Sequence, residues 1–206
     1  MSVDRLLAFV LASTVVLAIP GPTVLLVVTR SLNHGHEVRR ATVAGVVLGD
    51  LVAMTAAVLG AGALLLASSE LFLALRLTGG AYLIWLGIRT WRSGGAQWHL
   101  QEPAAHSPHR VVSESFAVTA TNPKSIAFFV AFVPQFIDPA RPWLPQVVTL
   151  ILVFVTLGGL NATGYAWLAG RARTSIADPA IRRRVARASG GVLVTGGGLV
   201  MVAAHS

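Results

Sequence analysis

Six long apolar runs carrying almost no charge dominate the chain, at 6–29, 41–67, 71–88, 115–137, 144–169 and 188–204. About 20 helical residues, each rising 1.5 Å, cross the roughly 30 Å of hydrocarbon in a bilayer. A helix on a soluble core would show a polar stripe every three to four residues. The stretch from Ala53 to Ala67 has Thr55 as its one polar side chain. The runs are continuous rather than alternating, so the spans are expected to be helices and not barrel strands. Only 12% of residues are charged, about half the share usual in a soluble domain. The third and sixth runs are shorter and begin beside Arg76 and Arg187, whose long side chains can snorkel to the interface. The chain has no cysteine, which rules out disulfides, thiolate metal sites and thiol redox chemistry.

Arg5 before the first run gives it the look of a secretion signal. The run is too long for one, is interrupted by Pro20-Gly21-Pro22, and lacks a small-x-small cleavage site, so it is expected to stay as a span.

A net charge of +8 could suggest nucleic acid, and the placement of the charges argues otherwise. Three loops hold twelve arginines: Arg30, Arg39 and Arg40; Arg89, Arg92 and Arg110; Arg171, Arg173, Arg182, Arg183, Arg184 and Arg187. The opposite loops hold three, Arg5, Arg76 and Arg141. By the positive-inside rule both termini face outward and the three basic loops are cytoplasmic. Anionic lipid headgroups are the expected partner of these charges, and nucleic acid is not. Trp85, Trp91, Trp98, Trp143 and Trp167 fall mostly near span ends, as interfacial aromatic belts do.

Self-comparison suggests two halves. Arg76-Leu77-Thr78-Gly79-Gly80 is similar to Arg187-Ala188-Ser189-Gly190-Gly191, and spans 1 and 4 are both interrupted by proline. With three spans per half, the second half enters from the other side of the membrane, an inverted repeat. The expected organisation is a first three-helix repeat at 1–92, a flexible cytoplasmic linker at 93–112 and a second repeat at 113–206. The fold class expected is therefore an all-α membrane protein of six transmembrane helices in two inverted three-helix repeats, with helices 1 and 4 broken at proline. Small residues in the glycine-rich spans allow close helix approach, and span 6 could also pack on a second copy as a homodimer.

Three features are costly in hydrocarbon. Pro20-Gly21-Pro22 would free the carbonyls of Val16 and Ala18, while Pro22 suits the first turn of a new half-helix whose Thr23 and Val24 amides lack partners. The alternative is a simple kink. In Thr121-Asn122-Pro123-Lys124-Ser125, Asn122 is a good N-cap and Pro123 a good first residue of a second half-helix. Lys124 there sits at the positive end of a helix dipole, so an anion should compensate it. The third feature is Asp50, the one charge between Ala41 and Ser69. A buried acid at that depth costs about 3 kcal/mol on insertion scales and should face a cavity or a partner. It either serves transport or forms a structural ion pair with Lys124. Counting rises along the helices puts the two breaks and Asp50 at similar depth, as one shared polar cavity requires. Asn161, Thr163 and Tyr165 give span 5 a polar patch that either lines this path or bonds neighbouring helices. The histidines, His34, His36, His99, His106, His109 and His205, are scattered over loops and the terminus and form no convincing metal set.

Taken together, the chain resembles the lysine-exporter (LysE/RhtB) family of small bacterial amino-acid exporters. The resemblance rests on Ala18-Ile19-Pro20-Gly21-Pro22, on Gly45-Val46-Val47-Leu48-Gly49-Asp50, on the run from Gly79 to Gly87, and on Asn122-Pro123-Lys124 leading to Phe132-Val133-Pro134-Gln135-Phe136. It implies export of amino acids or related small metabolites across the bacterial inner membrane, coupled to proton motive force and without a cofactor. On that reading a substrate carboxylate docks at Pro20, Gly21, Pro22, Thr23, Asn122, Pro123, Lys124 and Ser125, with Asn161 beside them, and Asp50 holds the amino group or carries the proton. No embedded Ser-His or His-Asp set suggests an enzyme. Inorganic cation efflux and a non-transporting scaffold are the alternatives, and a single embedded acid provisions a divalent-metal site poorly.

Overall fold

The computed structural model describes residues 1–94, 107–171 and 178–203. These form eight α-helices and one 3-10 turn, with no strand among the described residues. In chain order they are α1 (Val3–Ala18), α2 (Pro22–Asn33), α3 (His36–Ala67), α4 (Ser69–Ser93), α5 (Pro108–Ala120), α6 (Pro123–Phe132), the 3-10 turn Val133–Phe136, α7 (Trp143–Arg171) and α8 (Pro179–Ala203). Helices α3, α4, α7 and α8 are each long and apolar enough to cross a membrane. The pairs α1–α2 and α5–α6 reach that length only together, bent by 57° and 46° at their breaks. Of the segment expected as a linker, residues 95–106 lie outside the described residues, and helix resumes at Pro108. Trp98, His99, His106 and His205 also lie outside them.

Polarity is arranged inside out relative to a water-soluble bundle. Leu11, Leu152, Leu160 and Leu199 point outward, whereas Arg30, Asp50, Asn122 and Lys124 are buried. On one side of the breaks, α1, α3, α6 and α7 enclose an aromatic core of Phe9, Met54, Phe128, Phe129 and Phe154. There Phe129 meets Phe154 edge-on at 4.7 Å between ring centroids. On the other side, Val27 of α2 and Val46 of α3 pack on Ala162 and Ala166 of α7. The breaks lie between these two apolar clusters, with Asn122, Lys124 and Ser125 buried and Pro22, Thr121 and Pro123 exposed.

Two close helix contacts fix the frame. Helices α4 and α8 touch backbone to backbone: a Cβ on Gly87 would lie 2.6 Å from the Gly190 carbonyl oxygen, and one on Gly197 would lie 2.6 Å from that of Gly80. Helices α3 and α5 approach where Gly45 faces Ser115 and Gly49 faces Thr119, leaving no room for a methyl at either glycine. Small residues four or seven apart let dispersion act over long stretches where lipid supplies no hydrophobic drive. Gly87→Ala or Gly190→Ala is therefore expected to destabilise the bundle by about 1–3 kcal/mol through overpacking. Gly198→Ala, whose methyl would meet nothing within 4 Å, is expected to be neutral. Thermal unfolding in detergent micelles, with the three variants compared, checks this.

Candidate functional site

The first break leaves the carbonyl end of α1 open, because Pro20 and Pro22 supply no N–H. Four carbonyls in a row are filled by side chains from elsewhere. Lys124 Nζ donates to Val16 O at 3.0 Å and to Ile19 O at 2.6 Å. Asn161 Nδ2 donates to Leu17 O at 3.1 Å, and the Tyr165 hydroxyl donates to Ala18 O at 2.8 Å. Of the two carbonyls expected to be orphaned, Ala18 O is filled by Tyr165, while Val16 O also accepts from the Ile19 amide at 3.2 Å and so was never bare. The polar patch on span 5 divides: Asn161 and Tyr165 serve this end, while Thr163 bonds back to Gly159 O within its own helix.

The Lys124 ammonium turns to α1, where the negative end of that helix dipole and its carbonyls meet the charge. Asp50 lines the same small pocket and acts on the Lys124 charge, with no direct ion pair between the two among the described residues.

The second break is held as its sequence suggests. Asn122 is extended and caps α6, accepting from the Lys124 backbone amide at 3.1 Å, with Pro123 in the first turn. Its amide nitrogen donates to Thr23 Oγ1 at 3.1 Å, and Thr23 Oγ1 lies 3.3 Å from Thr119 Oγ1. The starts of α2 and α6 are thereby tied to each other. Gly21 approaches the Lys124 side chain, where a Cβ would lie 3.5 Å from Nζ.

Asp50 of α3, only 3% exposed, faces this junction. It shares with Thr23, Ser125 and Asn161 a pocket of about 20 Å³, room for roughly one water. Gly158 of α7 makes space for the carboxylate, since a Cβ there would lie 2.5 Å from Asp50 Oδ2. A second cavity of about 280 Å³ reaches from Pro20, Gly21, Pro22 and Pro123 to α4 and α8. Asn122 and Lys124 border both spaces. All ten residues singled out in the sequence therefore line one cavity or the other, with the Lys124 side chain between them. Among the described residues no three His, Asp or Glu side chains gather as a metal would need.

Arg30 was counted as a loop cation and is instead 2% exposed. From α2 it reaches α5, donating to Val111 O at 3.0 Å, to Ser115 Oγ at 2.6 Å and to the Glu114 carboxylate. Arg110 holds the other Glu114 oxygen at 2.9 Å. Arg30, Glu114, Thr119 and Gly158 were not singled out from sequence. Glu114 carried a legible signal, being an acid at the edge of an apolar run four residues after Arg110.

The family model for the LysE type translocator matches residues 14–204. The chain belongs to that family. It is 35% identical over 199 residues to a homoserine/homoserine lactone efflux protein of Salmonella typhi, covering 97% of each chain. It is 30% identical to an uncharacterized membrane protein of Vibrio cholerae, covering 98% of this chain and 99% of that one. To a leucine efflux protein of Klebsiella pneumoniae it is 32% identical, over 64% of this chain and 63% of that one. No solved structure matches. The apolar helices and these relatives make it a multi-pass membrane protein of a translocator family.

The caps on α1 give a graded expectation. Tyr165→Phe orphans one carbonyl and should cost about 1 kcal/mol; Lys124→Met orphans the Ile19 carbonyl and weakens Val16, and should cost about 3 kcal/mol. Melting temperatures in micelles, read with that of Lys124→Arg, which keeps donors at the site, check the order.

Proposed function

We propose that the chain is an inner-membrane exporter of amino acids or closely related small metabolites, driven by proton motive force. The observation that carries this reading is the meeting of both helix breaks with Asp50 and Lys124 at one buried polar junction, beside a cavity able to take a small molecule. Broken helices at mid-membrane expose amides and carbonyls where a zwitterion can exchange its water for protein dipoles. The efflux relatives support amino acids as the cargo class.

In this reading α1–α2 and α5–α6 are single bent spans, giving six spans in two inverted repeats. The α4–α8 contacts support it: Gly80 meets Gly197 and Gly87 meets Gly190, glycine pairs at the same seven-residue spacing on both helices. The shift that aligns Arg76–Gly80 with Arg187–Gly191 carries Asp50 onto Asn161, and both face the small pocket. The substrate carboxylate is drawn to the starts of α2 and α6, where amides and Lys124 gather. The pocket at Asp50 has no room for cargo in this state, so it opens as the cycle turns. Asp50 is the embedded acid at this junction and takes up and releases the proton.

Cells overexpressing the chain should withstand inhibitory homoserine or leucine-containing dipeptides and accumulate the amino acid outside. Asp50→Asn at equal membrane level should lower that export by at least about tenfold, the loss expected when a proton carrier is removed. Full proton-dependent efflux by the variant removes Asp50 from the mechanism, and metal resistance without amino-acid export removes the cargo class. A reporter fused after Ser206 should read periplasmic; a cytoplasmic signal breaks the six-span arrangement.

A further inference from the structure

The larger cavity has a wall that none of the foregoing uses. Opposite the two breaks it is lined by Tyr82, Leu86, Arg89 and Thr90 of α4 and by Leu193 of α8. None of its lining residues is acidic, and two, Arg89 and Lys124, are cationic. Lys124 gives two hydrogen bonds to α1, while an ammonium has three protons to give.

Thr90 stands on the same wall. It is 9% exposed and lines the cavity. Like Thr29 and Thr55, and unlike Thr42, Thr78, Thr149, Thr163 and Thr195, it does not return its hydroxyl to the carbonyl four residues back, and here that hydroxyl can turn to the cavity. Beside it, Arg89 is braced by the Trp85 ring, its guanidinium carbon 5.3 Å from the ring centroid. A hydroxyl beside the cavity and a guanidinium held by a neighbouring ring offer donors to a ligand that enters there.

We propose that this α4–α8 wall is the cargo-reading face of the transporter: across the cavity from the starts of α2 and α6, Arg89 and Thr90 hold the second oxygen of the substrate carboxylate, and Leu86 and Leu193 contact its side chain. The inference rests on the amino-acid export reading and adds the residues that select the cargo. The guanidinium and the hydroxyl match one oxygen of a carboxylate, which accepts through both. Leu86 and Leu193 favour a neutral, partly apolar side chain. A cationic side chain such as that of lysine would enter a cavity that already holds two positive charges and no acid, so the wall discriminates against it by repulsion as well as by lost contact. At about 280 Å³ the space suits a small amino acid, at the lower end of ordinary ligand pockets.

The test uses the full chain reconstituted in liposomes, with transport of labelled leucine, homoserine and lysine followed against concentration. Wild-type transport of leucine or homoserine tests the exporter reading itself. Given that transport, Arg89→Gln and Thr90→Val should each raise KM for the neutral amino acids by about tenfold, as loss of a charge-assisted or buried hydrogen bond does, with kcat changed far less. Arg89→Lys should recover part of the loss. Arg89→Glu should improve lysine relative to leucine by about tenfold or more, a gain that misfolding cannot produce. Wild-type KM values in Arg89→Gln and Thr90→Val overturn the wall as cargo-reading face while leaving the exporter reading intact. An unchanged leucine-to-lysine preference in Arg89→Glu overturns it as well.

Discussion

The Lys124 ammonium at the open end of α1 is the contact on which the interior depends. A helix that stops inside hydrocarbon leaves carbonyls that water would otherwise satisfy, and each orphan there costs about 1–3 kcal/mol. The chain meets that cost from two directions: Lys124 reaches back from the first turn of α6, and Asn161 with Tyr165 reaches across from α7. One lysine therefore solves two problems. It neutralises the carbonyl end of one half-helix, and its own charge, poorly placed at the start of another, is held by those same carbonyls. Removing either break would strand the groups of the other.

Around that contact the polar and apolar parts divide the labour. The aromatic cluster of Phe9, Phe128, Phe129 and Phe154 closes one side, and small aliphatics of α2, α3 and α7 close the other. Between them Asp50 is left facing a pocket with room for about one water, made possible because residue 158 has no side chain. A carboxylate in such a place has few partners besides the Lys124 charge, a water, a proton or an arriving ligand, which is the ground for proposing it as the proton carrier.

Much of this was legible in the sequence because hydrocarbon leaves few choices. Uncharged runs must be helices, paired prolines must interrupt them, and Asn122-Pro123 reads as a cap followed by a first turn; the structure has each. What stayed hidden depends on which faces meet. The direction of Lys124 could not be read, since a sequence shows a charge at the wrong helix end without showing the second helix end that welcomes it. Arg30 looked like one basic loop residue among twelve, and only its approach to Glu114 and Ser115 separates it from the others. Gly158 looked like any small residue in an apolar span, until the carboxylate beside it gave its missing methyl a reason.

The backbone contact between α4 and α8 has a further consequence. Where carbonyl oxygens of one helix nest against glycines of the other at two levels, with Ile84, Trp91 and Val194 closing in beside them, no added methyl can enter. The pair works as a rail without slack along its length, whereas α1–α2 and α5–α6 are each cut and bent at a proline break.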